Sequence, residues 1–126
     1  LTPETQGMIG TAELEVMKED GFIINAARGP LIDEDALYQA LVNGQIAGAG
    51  LDVMADNLPD KNHPLIGLDN TIITPHVAFF SQEATLELER RAAGEVVSVL
   101  HGNMPDNLVN FAVLEHPNPR HSLSRG

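Results

Sequence analysis

The 126 residues contain no cysteine and no tryptophan, one tyrosine, four phenylalanines, and only 7 Lys+Arg against 18 Asp+Glu. Each shortage removes a class of function. Without cysteine there is no disulfide framework, no thiolate nucleophile and no cysteine-ligated zinc site. A formal charge of -11 opposes nucleic acid, where basic side chains must displace the counterions of the phosphates. It opposes an anionic membrane surface for the same reason. No apolar run approaches the roughly 20 residues that a bilayer span needs. The five histidines offer no zinc site either, since no two stand three or four apart, so no metal is expected. A cytoplasmic α/β protein of one globular unit is expected, without nucleic-acid or membrane partners.

What is present is an alternation of helical and strand patterns. Thr11–Lys18 reads as a short helix with Thr11 as N-cap and Leu14 and Met17 on one face. Phe22–Ala26 is an apolar run of strand length, the pattern of a strand covered on both faces. Asp33 is a helix N-cap, Glu34 and Asp35 suit the positive end of that helix, Ala36, Leu37, Ala40 and Leu41 are its buried stripe, and Asn43-Gly44 ends it. Ile46–Val53 and Thr71–Thr74 are two more strand-like runs. Ser81 to His101 is the longest helix, ended by Gly102. It carries two apolar stripes, Leu88, Ala92, Val96 and Val99 beside Leu86, Ala93, Val97 and Leu100, and an outer Glu87–Arg91–Glu95 ladder. Helices alternating with strands at this spacing give βαβ units and a parallel sheet. The segment from Glu115 to Gly126 reads as a flexible tail. The chain enters a turn-rich Thr2-Pro3-Glu4-Thr5 directly after Leu1, as a connecting loop would, so a piece of a longer protein is expected.

Parallel sheets bind ligands beyond the carboxyl ends of their strands. Three polar residues stand there: Arg28 after Phe22–Ala26, Asp52 after Ile46–Leu51, and His76 after Thr71–Thr74. Singly, each reads as a surface charge, a helix cap or a structural imidazole. Three at successive strand ends converge on one sheet edge and make a candidate site.

The segments Leu1-Thr2-Pro3-Glu4-Thr5, Asn25-Ala26-Ala27-Arg28-Gly29, Leu31-Ile32-Asp33-Glu34, Gly50-Leu51-Asp52-Val53 and Thr74-Pro75-His76, in this order, resemble the D-isomer-specific 2-hydroxyacid dehydrogenase family. The likeness covers residues 1 to about 110. It implies the second half of a Rossmann-type parallel sheet with flanking helices and a long C-terminal connecting helix. Residues 1–102 would be a partial NAD-binding domain and 103–114 a return toward a substrate domain. The implied chemistry is reversible hydride transfer between a nicotinamide, NAD or NADP, and a small 2-oxo or 2-hydroxy acid, in a full-length homodimer. Arg28 would hold the substrate carboxylate, as a planar guanidinium fork does well. His76 would be the general acid and base. Asp52 would accept from the nicotinamide carboxamide, and Thr5, Ala26 and Ala27, with Arg28 and His76, would line the cofactor.

Two departures from the family pattern stand out. The family's glutamate partner of the histidine falls here on Asn57, or on Asp56 with a shift of one residue. An amide can orient an imidazole but adds no negative charge. The second is the Gly-x-Gly-x-x-Gly phosphate loop, which the 126 residues do not contain. Gly48-Ala49-Gly50 is no substitute, because those glycines precede a strand end rather than open a helix. Two other roles are open: a cofactor-sensing interaction protein like the family's corepressor branch, and an inactive fragment.

Overall fold

A computed structural model of the chain describes residues 1–56 and 59–115. It divides into two compact units, Leu1–Phe79 and one that starts at Phe80. Asn57 and the expected tail from His116 onward lie outside the described residues.

The first unit is the expected parallel α/β arrangement. Its elements are α1 (Thr11–Glu15), β1 (Phe22–Asn25), α2 (Glu34–Val42), β2 (Gly48–Leu51) and β3 (Thr71–Ile73). The strands lie in the order β1-β2-β3, all parallel, with Asn25 beside Leu51 and Leu51 beside Ile73. This register brings the three strand exits to one edge of the sheet.

Local chemistry explains α2. The Asp33 carboxylate accepts from the N–H groups of Asp35 and Ala36, both at 3.1 Å, and satisfies two of the donors that a helix start leaves open. Gly44 ends the helix in the left-handed region at φ +66°, where glycine has no Cβ to clash. Leu37, Ala40 and Leu41 are buried, three and four residues apart on one face. They close a core with Leu14, Ile46, Ala49, Leu51 and Leu65. Each leucine so buried contributes about 1.5–3 kcal/mol relative to exposure.

Two expectations for this unit need correction. The first helix is a single turn that stops at Glu15, and its N-cap is Gly10 rather than Thr11. The reason is Glu13, whose carboxylate reaches back to accept the Gly10 N–H at 2.9 Å. Leu14 still reaches the core and Met17 packs beside it. The second correction is β1, which is covered on one face only. Ile23 and Asn25 face the packed side, whereas Phe22 and Ile24 are 69% and 77% exposed, as is Ile72 on β3. Between them β2 presents Gly48 and Gly50, and a Cβ at Gly48 would lie 2.9 Å from the Phe22 ring. Among the described residues no side chain covers that apolar surface.

In the second unit α3 (Gln82–Leu100) starts where the Ser81 hydroxyl accepts from the Ala84 N–H at 3.0 Å, and Gly102 follows it at φ +80°. No residue of α3 is buried, so the two expected stripes stand as exposed apolar surface. The outer ladder is also shorter than expected. Glu87 accepts from Arg91 at 2.6 Å and from Arg90 at 3.1 Å. Glu95 instead accepts the backbone N–H groups of Asp106 and Asn107 at 3.0 and 3.2 Å, and the Asn107 side-chain amide at 2.6 Å. A carboxylate answering two adjacent turn amides gains more than one answering a single mobile guanidinium in water. Glu95 thereby ties the segment after α3 back onto the helix.

Candidate active site

The three strand exits are built differently. At the β1 exit the work is local. Asn25, 5% exposed, accepts the Ala27 N–H at 3.1 Å and donates its side-chain amide to the Arg28 carbonyl at 2.9 Å. A single side chain thus closes the turn that presents Arg28. Arg28 itself is exposed, and its Nη1 donates to the Ala27 carbonyl at 2.6 Å. Gly29 is buried because a Cβ there would sit 1.9 Å from the Met54 carbonyl carbon and oxygen. The β1 and β2 exits therefore touch backbone to backbone. Thr5 lies in a turn where its hydroxyl accepts the Thr2 N–H at 2.9 Å. That turn is strapped beside Arg28, through Gly7 N–H to the Pro30 carbonyl at 2.8 Å and Ile9 N–H to the Leu31 carbonyl at 3.0 Å.

The other two exits share one carboxylate. Asp52, 7% exposed, accepts through Oδ1 from the Thr74 hydroxyl at 2.5 Å and the Val77 N–H at 2.8 Å, and through Oδ2 from the Ala78 N–H at 2.9 Å. These donors hold its carboxyl below the usual carboxylate range, the Thr74 hydroxyl most of all. Burial opposes them, the two amides assist, and the nearby His76 charge adds a smaller pull. The donors flank His76, which has φ +57°, the only positive φ of a non-glycine residue among those described. A side chain in that region costs about 1 kcal/mol or more and persists where its surroundings enforce it. Asp52 supplies the enforcement. The exposed His76 ring meets Phe79 edge-on, with centroids 6.3 Å apart.

A cavity of about 370 Å³ opens here, walled by Asp52, Met54, Asp56, Pro59, Thr74 and His76. Asp52, Asp56 and His76 are thus brought together. Arg28, Ala26, Ala27 and Thr5 stand outside this wall, Arg28 at the neighbouring exit of the same edge. Asn57 lies outside the described residues, so Asp56 is the alternative partner whose position is described. Sequence reasoning assigned no role to Asn25, Thr74 or Gly29, although all three lie in the family-like segments, and Asn25 stands out further as the one amide in an apolar strand run.

Residues 1–78 match the family model described as "D-isomer specific 2-hydroxyacid dehydrogenase, NAD binding domain". The chain belongs to this family. Among its relatives, the glyoxylate reductase of Thermofilum pendens is 44% identical over 115 residues, which are 91% of this chain and 34% of that protein. The D-lactate dehydrogenase of Lactobacillus jensenii, solved with NAD+, superposes with a TM-score of 0.77 at 31% identity, over 87% of this chain and 37% of that one. An acyclic imino acid reductase in complex with NADPH and D-Arg superposes at 0.79 with 35% identity, over 87% of this chain and 34% of that one. The chain thus spans about a third of the length of these dehydrogenase-family relatives. The parallel sheet with its flanking helices is the Rossmann-like fold of the family's NAD-binding domain.

Proposed function

We propose that this chain serves reversible hydride transfer between a nicotinamide cofactor and a small 2-oxo or D-2-hydroxy acid. The observation that carries the reading is the His76 exit: an exposed imidazole in a left-handed backbone position, held by Asp52 at the wall of a cavity on the ligand-binding edge of the sheet. When bound, the nicotinamide supplies the hydride in one direction and takes it in the other. Reduction turns a carbonyl oxygen into a hydroxyl, which needs a proton. His76 donates it from the imidazolium and recovers it on oxidation. Arg28 pairs with the substrate carboxylate, and to do so its guanidinium leaves the Ala27 carbonyl. Asp52 Oδ2 receives one backbone N–H and keeps a lone pair for a carboxamide N–H, so this edge suits a nicotinamide. Thr5, Ala26 and Ala27 would line the cofactor from the β1 side, and Asn57 or Asp56 would orient the imidazole. NAD is the cofactor of this reading, and the NADPH of the imino acid reductase keeps NADP within it. A cytoplasmic location and a homodimeric full-length protein follow from the family resemblance.

The test is a screen of glyoxylate, pyruvate and hydroxypyruvate with NADH and NADPH, using the full-length gene product that carries this chain, beside its His76→Gln and Arg28→Ala variants. His76→Gln is expected to lower kcat by about 10²–10⁴-fold, the usual share of a general acid. Arg28→Ala should mainly raise KM. Turnover that survives in both variants overturns the assignment. Cofactor binding without any turnover would favour the interaction-protein role.

A further inference from the structure

The charged pair on α2 that suits a helix start does unequal work there. Asp33 already caps the helix and Asp35 lies free of any such long-range contact among the hydrogen bonds of this region. Glu34 is different: its half-buried carboxylate leaves the helix altogether. Oε1 accepts the Ala55 N–H at 2.7 Å, 21 residues away, and Oε2 lies 3.4 Å from His63 Nε2. The other ring nitrogen of His63, Nδ1, accepts from the Leu65 N–H at 3.4 Å. An imidazole nitrogen that accepts carries no proton, so the neutral ring holds its hydrogen on Nε2, directed at Glu34.

Ala55 and His63 bracket Asp56 and Pro59, two wall residues of the His76 cavity. Ala55 is also pressed against the Arg28 side, since a Cβ on Gly29 would lie 2.4 Å from the Ala55 nitrogen. We infer that Glu34 is a positioning residue, one that fixes the Ala55 and His63 anchors and so holds the Asp56 and Pro59 side of the cavity against the Arg28 exit. Asp52 does the matching work on the His76 side. The two carboxylates secure different parts of the cavity lining, one from α2 and one from the end of β2. The importance of this for catalysis rests on the proposed function, while the clamp itself stands on geometry.

The test is NMR on the 126-residue chain, comparing wild type with Glu34→Ala, Glu34→Gln and His63→Gln. Three signals are read: hydrogen exchange at the Ala55 amide, the ring nitrogens of His63, and the amide shifts of Asp56 and of Thr74 to Ala78. In wild type the His63 ring should show the Nε2–H tautomer. Glu34→Ala should speed Ala55 exchange by about tenfold or more, as loss of one charge-assisted hydrogen bond does, and move the Asp56 and His76 amides. Glu34→Gln keeps a carbonyl oxygen for Ala55, so Ala55 protection should return toward wild type while the His63 signal changes. His63→Gln should release the second anchor and leave Ala55 protected. Should Glu34→Ala not fold, Glu34→Gln reads the same two contacts separately. Unchanged Ala55 exchange in Glu34→Ala, or faster exchange with the Asp56 and His76 amides unmoved, overturns the inference. Absence of dehydrogenase turnover in the full-length gene product, alongside the expected shifts in the chain, would sink the proposed reaction and leave the clamp standing.

Discussion

The β1 and β3 exits end level in register on the same sheet edge, Asn25 and Ile73 both beside Leu51, yet they are held in opposite ways. The Arg28 turn is closed by Asn25 from its own strand, through partners two and three residues away. The His76 turn is closed by Asp52 from the neighbouring strand, through partners 22 to 26 residues away. The first turn needs only its own strand to be in place. The second exists only when β2 and β3 are paired in the correct register, because a slip of one residue would turn Asp52 to the other face of the sheet. The His76 turn is thereby made conditional on the finished sheet, while the Arg28 turn is closed by hydrogen bonds from its own strand.

The largest perturbation should erase the distinction. Gly29→Ala places a methyl group 1.9 Å from the Met54 carbonyl, and neither backbone can yield cheaply. A loss of about 3 kcal/mol, the upper end of overpacking costs, is expected from urea midpoints, with amide shifts at both exits. Asn25→Ala should separate them. It removes the partner of the Ala27 N–H and of the Arg28 carbonyl, both in exposed residues, at about 0.5–1.5 kcal/mol for each hydrogen bond lost. Its amide shifts should stop at the β1 exit, and changes spreading to Val77 and Ala78 would show that the exits are not independent.

This same distinction governs what could be read in the sequence. Asp33, Gly44 and Ser81 were legible because a cap answers to residues within four positions. Asp52 could be picked out as a polar group at a strand end, but its partners could not, since Thr74, Val77 and Ala78 reach it only through the parallel pairing of β2 with β3. Glu34 does stand in the first turn of α2 as expected, but its further contacts were hidden for the same reason. Its place at a helix start explained its charge so well that its contacts with Ala55 and His63 left no trace. The long helix is the reverse case: its stripes were legible as a pattern, and the pattern says nothing about what covers them.

Acid should act on one exit alone. The Asp52 carboxyl lies below its ordinary value of 3.8 in the folded chain. A depressed carboxyl contributes stability that is fully present above the unfolded value and lost as pH falls through the lower folded one. Between neutrality and about pH 4 the His76 turn should therefore hold. Below that, protonation removes the charge that strengthens the hydrogen bonds from Val77 and Ala78, and their amide shifts should move together. The Ala27 amide, held by a group that does not titrate, should stay in place through the same range. A joint transition at both exits would break the comparison.

The smallest expected effect is the sharpest control. Ile72 stands on β3 close to the His76 turn, 72% exposed on the uncovered sheet face and paired in register with Gly50, which has no side chain to meet it. If Asp52 alone secures that exit, Ile72→Thr should change stability by no more than about 0.5 kcal/mol, the usual range for an exposed position, because threonine keeps the β-branched preference for a strand. The Val77 and Ala78 amides should not move. A larger loss in urea unfolding would mean that the apolar face already carries packing in this chain, and the β3 exit would then depend on its own strand as the β1 exit does. The two means of holding a strand end would collapse into one.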